Sequence, residues 1–115
     1  MQEIRTLDEY FTVVRREQPS VMLFSAGWCP DCRYLDRFID EVVDAYADRA
    51  TFYKVDRDAF PELCETLDIL GIPSFLAYRN GQVIGRFVSK LRKTRDEVER
   101  FLDEVLSTDD ASKKA

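Results

Sequence analysis

The chain has 115 residues, 45% hydrophobic and 34% charged, with 17 basic against 22 acidic side chains and a net charge of −5. That length fits one domain with one real core, and the acidic balance excludes a general nucleic-acid binder. Met1-Gln2-Glu3-Ile4-Arg5 lacks the apolar stretch of a secretion signal and no apolar run is long enough to span a bilayer, so the expected setting is the cytosol, with no membrane attachment.

Taken in order, Thr6-Leu7-Asp8-Glu9 has the capping-box pattern, threonine at the cap and glutamate three residues on. Leu7, Tyr10, Phe11 and Val14 then repeat at helical spacing until Pro19 and Ser20 break the helix. Val21-Met22-Leu23-Phe24 is a continuous apolar run, the pattern of a central strand covered on both faces. After Trp28-Cys29-Pro30-Asp31-Cys32 comes a segment with helical periodicity from Tyr34 to Tyr46, with Leu35, Phe38, Ile39, Val42, Val43 and Tyr46 on one broad face. Thr51 to Val55 reads as a second strand, Asp56-Arg57-Asp58 as a turn, and Phe60, Leu63, Cys64 and Leu67 as the face of a short helix. Gly71 closes that region, and Ile72-Pro73 leads into a strand from Ser74 to Tyr78. Asn80-Gly81 is a two-residue hairpin signal, so Gln82 to Val88 should pair back antiparallel. A second capping box, Thr94-Arg95-Asp96-Glu97, opens the last helix, with Val98, Phe101, Leu102 and Val105 on its inner face. The domain is predicted over residues 1–106, with a flexible polar tail over 107–115. Helix-linked parallel strands followed by a hairpin predict an α/β fold, a mixed central sheet of four to five strands with helices on both faces.

Two cysteines separated by two residues at a strand-to-helix junction read as a redox dithiol. At the first turn of a helix the backbone N–H groups have no intrahelical partner and the helix dipole is positive. A thiol there loses its proton more easily, and the thiolate is the form that attacks a disulfide. Cys29 is thus the expected nucleophile and the more exposed thiol, with Cys32 one turn on behind it. Pro30 suits the first helical position, where its missing N–H would have no partner. Other uses of the pair fit less well. A closed zinc site takes about four Cys or His ligands, and the chain has three cysteines and no histidine. Covalent haem attachment needs a histidine where Arg33 stands, and a structural disulfide over so short a loop gains little. No cofactor and no metal are expected.

The residues Trp28-Cys29-Pro30-Asp31-Cys32, Lys54-Val55-Asp56, Gly71-Ile72-Pro73-Ser74 and Asn80-Gly81 stand at the spacing of a known family. The chain resembles the thioredoxin family from about Thr6 to Leu106, and within it the bacterial thioredoxin-like proteins with a CPDC centre. The resemblance implies the thioredoxin fold, Cys29 as nucleophile, Cys32 as resolving thiol, Trp28 flanking the site and Pro73 as a cis-proline against the dithiol. It also implies that the Ile72 backbone offers its N–H and C=O to an extended substrate. Several positions depart from the family pattern. Leu23 stands where the family has a buried aspartate, so Lys54 is expected to have lost its partner and to face solvent. Arg37 replaces a helix-kinking proline, which predicts a straighter helix. Leu91 falls near the glycine of the substrate groove. With Leu23 unable to accept a proton, Asp31 is the acid–base group nearest in sequence to both sulfurs and the expected proton acceptor during resolution.

Two further features need a reading. Cys64, on an apolar helical face, is read as a small buried hydrophobe, with a regulatory thiol as the alternative. Arg86, Lys90, Arg92, Lys93 and Arg95 form a basic stretch, read as a solvated loop that also lies close enough to the dithiol to steer acidic partners. The expected function is a monomeric, cytosolic thiol–disulfide oxidoreductase that reduces protein or small-molecule disulfides and takes electrons from a thioredoxin-reductase-type donor. A thioredoxin-fold binding or redox-sensing module with little turnover is the alternative.

Overall fold

The computed structural model describes the backbone of residues 1–114 and the side chains of residues 1–107. Its elements are β1 (Gln2–Glu3), α1 (Leu7–Val14), β2 (Ser20–Ser25), α2 (Pro30–Asp36), α3 (Ile39–Tyr46), β3 (Thr51–Asp56), α4 (Pro61–Thr66), β4 (Ser74–Arg79), β5 (Gln82–Phe87) and α5 (Arg95–Lys114). They form one five-stranded sheet in the order β1-β3-β2-β4-β5. β1 and β2 run parallel to β3, while β4 is antiparallel to β2 and to β5. β1 was not expected; two residues long, it carries no periodicity to read. Among the described residues no helix is long and apolar enough to cross a membrane.

β2 is the central strand and all six of its residues are buried, as its unbroken apolar run requires. Met22 and Phe24 face one core with Tyr10, Val13 and Val14 of α1 and Leu63 and Cys64 of α4. Val21 and Leu23 face the other, with Ile39 and Val42 of α3 and Val98 and Leu102 of α5. Each such aliphatic side chain contributes roughly 1.5–3 kcal/mol by leaving water. In α1 the buried side chains are Tyr10, Val13 and Val14, while Leu7 and Phe11 of the expected stripe stay exposed. The hairpin forms at Asn80 and Gly81, both at positive φ (52° and 81°), as a primed turn demands.

The single helix expected from Tyr34 to Tyr46 is instead two. The Arg37 and Phe38 N–H groups bond to carbonyls three residues back, on Tyr34 and Leu35, and Phe38 leaves the helical region at φ −131° and ψ −11°. The break therefore occurs without the proline whose absence predicted a straight helix. Its cause is packing. α2 gives Cys32 to one core and Leu35 to the other, whereas α3 lies against the second core alone. One straight rod cannot satisfy both.

At the start of α5 the expected capping box is formed. The Glu97 N–H donates to Thr94 Oγ1 at 3.2 Å, and the Thr94 N–H and hydroxyl both donate to Glu97 Oε1 at 3.0 Å. The backbone bond from Thr94, then its hydroxyl, holds the Glu97 carboxyl below the usual carboxylate range. Its contribution to stability is thus present above pH 4.5 and is lost as the pH falls from there. Urea unfolding at pH 7 and pH 3 should show a smaller acid-induced loss in Glu97→Gln than in wild type; equal losses would mean the cap does not titrate. The tail expected over 107–115 lies, from residue 108 on, outside the residues whose side chains are described.

Candidate active site

β2 ends at Ser25, and the chain passes through Ala26 and Gly27 into the dithiol. Cys29 is the N-cap of α2 in an extended conformation (φ −82°, ψ 115°), and Pro30 occupies the first helical turn. The Cys29 carbonyl accepts the Arg33 N–H at 3.1 Å, and Cys29 Sγ accepts the Cys32 N–H at 3.2 Å. Cys29 thus caps its own helix with sulfur, where serine or aspartate ordinarily serves. The two cysteines are 4% and 1% exposed. Cys29 is the more exposed, as expected, but only slightly.

The loop before β4 closes over the pair. The Ile72–Pro73 bond is cis, and Cys29 Sγ lies 3.8 Å from the Ile72 carbonyl oxygen. Gly71 packs backbone to backbone on the loop after β5: a methyl group on it would stand 2.5 Å from Ser89 O and 2.6 Å from Lys90 N and Cα. Trp28 is not a core aromatic. It is 56% exposed and anchored by its indole N–H, which donates to Asp58 Oδ2 at 2.8 Å. With Leu70 and Leu91, both also exposed, it supplies exposed apolar surface on the loops nearest the dithiol.

Burial pushes the Cys32 thiol up to about 11 and its hydrogen bond with Cys29 adds to this, while a hydrogen bond with the Ser25 side chain and one from the Ala26 backbone act in the opposite sense. Ser25 is the site residue the sequence reading missed. The signal was a polar residue ending an otherwise apolar strand. Leu23, the expected departure, is buried in the core formed by α3 and α5, whereas both sulfurs belong to the opposite core.

Lys54 has a partner after all, which corrects the expectation that it faces solvent alone. Its Nζ lies 3.7 Å from Asp36 Oδ1, on the wall of a cavity of about 240 Å³ that also takes in Ser25, Gly27, Arg33 and Asp56. Asp31 is ion-paired too, its Oδ1 accepting Arg92 Nε at 2.9 Å. The basic stretch is likewise not a uniformly solvated loop. Arg86 donates to the Leu67 and Asp68 carbonyls, and Arg95 pairs with Glu41 and Glu99. Lys93 is 1% exposed, with its ammonium donating to Ser89 O, Ser89 Oγ and Leu91 O at 3.1–3.3 Å. Burial lowers its pKa. Cys64 is buried in the core that holds the dithiol, and burial raises its thiol. Among the described residues no group of three or more His, Cys, Asp or Glu side chains is placed to hold a metal.

The family model described as Thioredoxin matches residues 2–104. The chain belongs to the thioredoxin family. The mitochondrial thioredoxin of Bos taurus is 33% identical over 94 residues, covering 82% of this chain and 55% of that protein. The chloroplastic thioredoxin M3 of Oryza sativa subsp. japonica is 34% identical over 70 residues, covering 61% and 40%. The chain spans about half the length of the curated relatives it matches. In structure it is similar to the thioredoxin of Malassezia sympodialis, with a TM-score of 0.81 at 24% identity over 91% of this chain and 92% of that one. The fold is therefore the thioredoxin fold. These relatives are eukaryotic, two of them organellar; the expected bacterial, cytosolic setting is not what they point to.

Proposed function

We propose that this protein is a thiol–disulfide oxidoreductase acting through Cys29 and Cys32. The observation that carries the reading is the environment of one sulfur. Cys29 Sγ faces a backbone N–H at 3.2 Å, at the start of a helix, and lies 3.8 Å from the Ile72 carbonyl of the adjoining loop. A negative sulfur is met by a donor there, and a substrate strand can pair with the loop beside it.

In the first step the Cys29 thiolate attacks a substrate disulfide. A bond forms between Cys29 and one substrate sulfur, and the other leaves as a thiolate that takes up a proton. In the second step the Cys32 thiolate attacks Cys29 Sγ. The second substrate sulfur is released and a Cys29–Cys32 disulfide forms, so two electrons pass from the protein to the substrate. Cys29 contributes to the high pKa of Cys32 while both are free. Once Cys29 is held in the mixed disulfide that contribution ends, and the resolving thiol ionises more readily when it is needed. An external dithiol, of the kind a thioredoxin-reductase-type donor supplies, returns the pair to the reduced state. A reducing compartment such as the bacterial cytosol suits that cycle. The exposed Trp28, Leu70 and Leu91 suit a polypeptide substrate.

Turnover of a protein with an accessible disulfide, with dithiothreitol as electron source, tests this. Many turnovers per molecule are expected, and substrate-oxidised protein should carry a Cys29–Cys32 bond with Cys64 still open to alkylation after unfolding. Substrate binding without turnover would instead make the chain a binding module.

A further inference from the structure

One face of α2 and the loop before α5 enclose a hollow of about 290 Å³ lined by Pro30, Arg33, Tyr34, Arg37 and Arg92. The first four recur at helical spacing, so a single helix face supplies most of the wall. The Tyr34 ring holds two of the guanidinium groups, Arg92 at 4.4 Å and Arg37 at 5.9 Å from its centroid. Arg33 donates to the Trp28 carbonyl at 3.3 Å. Asp31 pairs with Arg92, while among the described residues neither Arg33 nor Arg37 forms an ion pair. Three guanidinium groups therefore share one carboxylate, in a protein of net charge −5.

Guanidinium groups that contact a ring keep N–H edges for a planar oxyanion, and a carboxylate matches that fork. Pro30, which lines the hollow, directly follows Cys29 in the chain, so the wall of the hollow begins one residue after the reacting cysteine. We propose that the hollow is a specificity subsite for acidic side chains flanking the substrate's disulfide, and so that acidic polypeptides are the preferred substrates. The inference rests on the oxidoreductase reading and extends it to substrate class. Concavity and charge here favour an acidic polypeptide, since unanswered positive charge in a cleft concentrates anions and speeds encounter.

The test compares two peptide disulfides that differ in aspartates or glutamines beside the cysteines. Wild type should prefer the acidic peptide by about tenfold in kcat/KM at low salt, mostly through KM, and lose the preference as salt is raised. The exposed pair Arg33→Gln and Arg37→Gln should remove most of that preference. A charge-matched control, Arg5→Gln with Arg15→Gln, should keep it. Equal use of both peptides by wild type, or an equal loss in the control, would overturn the proposal. Binding is read separately by fluorescence of Trp28, the chain's one tryptophan, titrated with cysteine-to-serine versions of both peptides. If neither peptide is turned over, an acidic preference in this titration that the Arg33/Arg37 variant lacks would leave the subsite standing while the oxidoreductase reading fails. No preference there would sink the subsite as well.

Discussion

Cys29→Ser should reduce disulfide turnover to background, while Cys32→Ser should stop after one half-reaction and accumulate a mixed disulfide on Cys29. The asymmetry follows from geometry. The Cys29 sulfur receives a backbone N–H and lies beside the Ile72 carbonyl, while Cys32 is buried behind it at 1% exposure. Mass spectrometry after mixing with a substrate disulfide would detect the trapped adduct; an adduct on Cys32 in Cys29→Ser would reverse the assignment. The wild-type release step should also depend steeply on pH. With its thiol pushed up to about 11 while Cys29 is free, and with burial still acting in the mixed disulfide, Cys32 is mostly protonated at neutral pH. Intramolecular attack offsets that deficit, since effective molarities reach about 10⁵–10⁸ M in well-oriented cases. Release should therefore rise by about tenfold per pH unit from neutrality. It should level off below 11, because the mixed disulfide removes what Cys29 adds. Ser25→Ala deletes a hydrogen bond that favours the Cys32 thiolate, so release should slow and the levelling-off shift to higher pH. A flat profile for release in wild type would show that proton loss from Cys32 does not limit that step.

Gly71→Ala should be among the most damaging single substitutions away from the sulfurs. The added methyl would meet backbone, Ser89 O at 2.5 Å and Lys90 N and Cα at 2.6 Å, and backbone cannot turn aside as a side chain can. Nor is the opposing loop slack. The Lys93 ammonium holds Ser89 O, Ser89 Oγ and Leu91 O, and Arg92 is tied to Asp31. One loop must give way, at a cost of about 1–3 kcal/mol, and the Ile72 carbonyl shifts relative to Cys29. Gly85→Ala is the comparison. Its methyl would also be crowded, but by the Val105 and Phe101 side chains of α5 and not by backbone. Denaturant unfolding should rank Gly71→Ala as the more destabilised, with a raised KM for the protein that remains folded. The reverse ranking would mean that the loop against Gly71 is easily displaced.

The residues around the dithiol show why some of this was legible in the sequence and some was not. A strand buried on both faces must be apolar throughout, so Val21 to Phe24 declared itself. Asn80-Gly81 and the capping box at Thr94 depend on neighbours within a few positions and formed as read, while at Thr6 the hydroxyl accepts the Glu9 N–H but the Glu9 carboxylate takes the N–H of Arg5 instead of that of Thr6. The placement of Cys29 at a helix start needed only Pro30 and the strand before it. Local rules reach no further than that. The partition of Tyr34–Tyr46 into two helices was set by which core each half must cover, and no proline was needed. Lys93 looked like one more solvated cation, because nothing in a basic run shows that one ammonium will find three acceptors indoors. Asp31 was read through its distance in sequence from the sulfurs, but its ion-pair partner is Arg92, 61 residues away. The Ser25 contact with Cys32, the Lys54–Asp36 pair and the Gly71–Ser89 approach are of the same kind. Backbone preference and hydrophobic period act along the chain and can be read from it. Contacts between loops arise when the finished sheet brings separate strand ends to one edge, and the charges and hydroxyls there take their partners from what that edge contains.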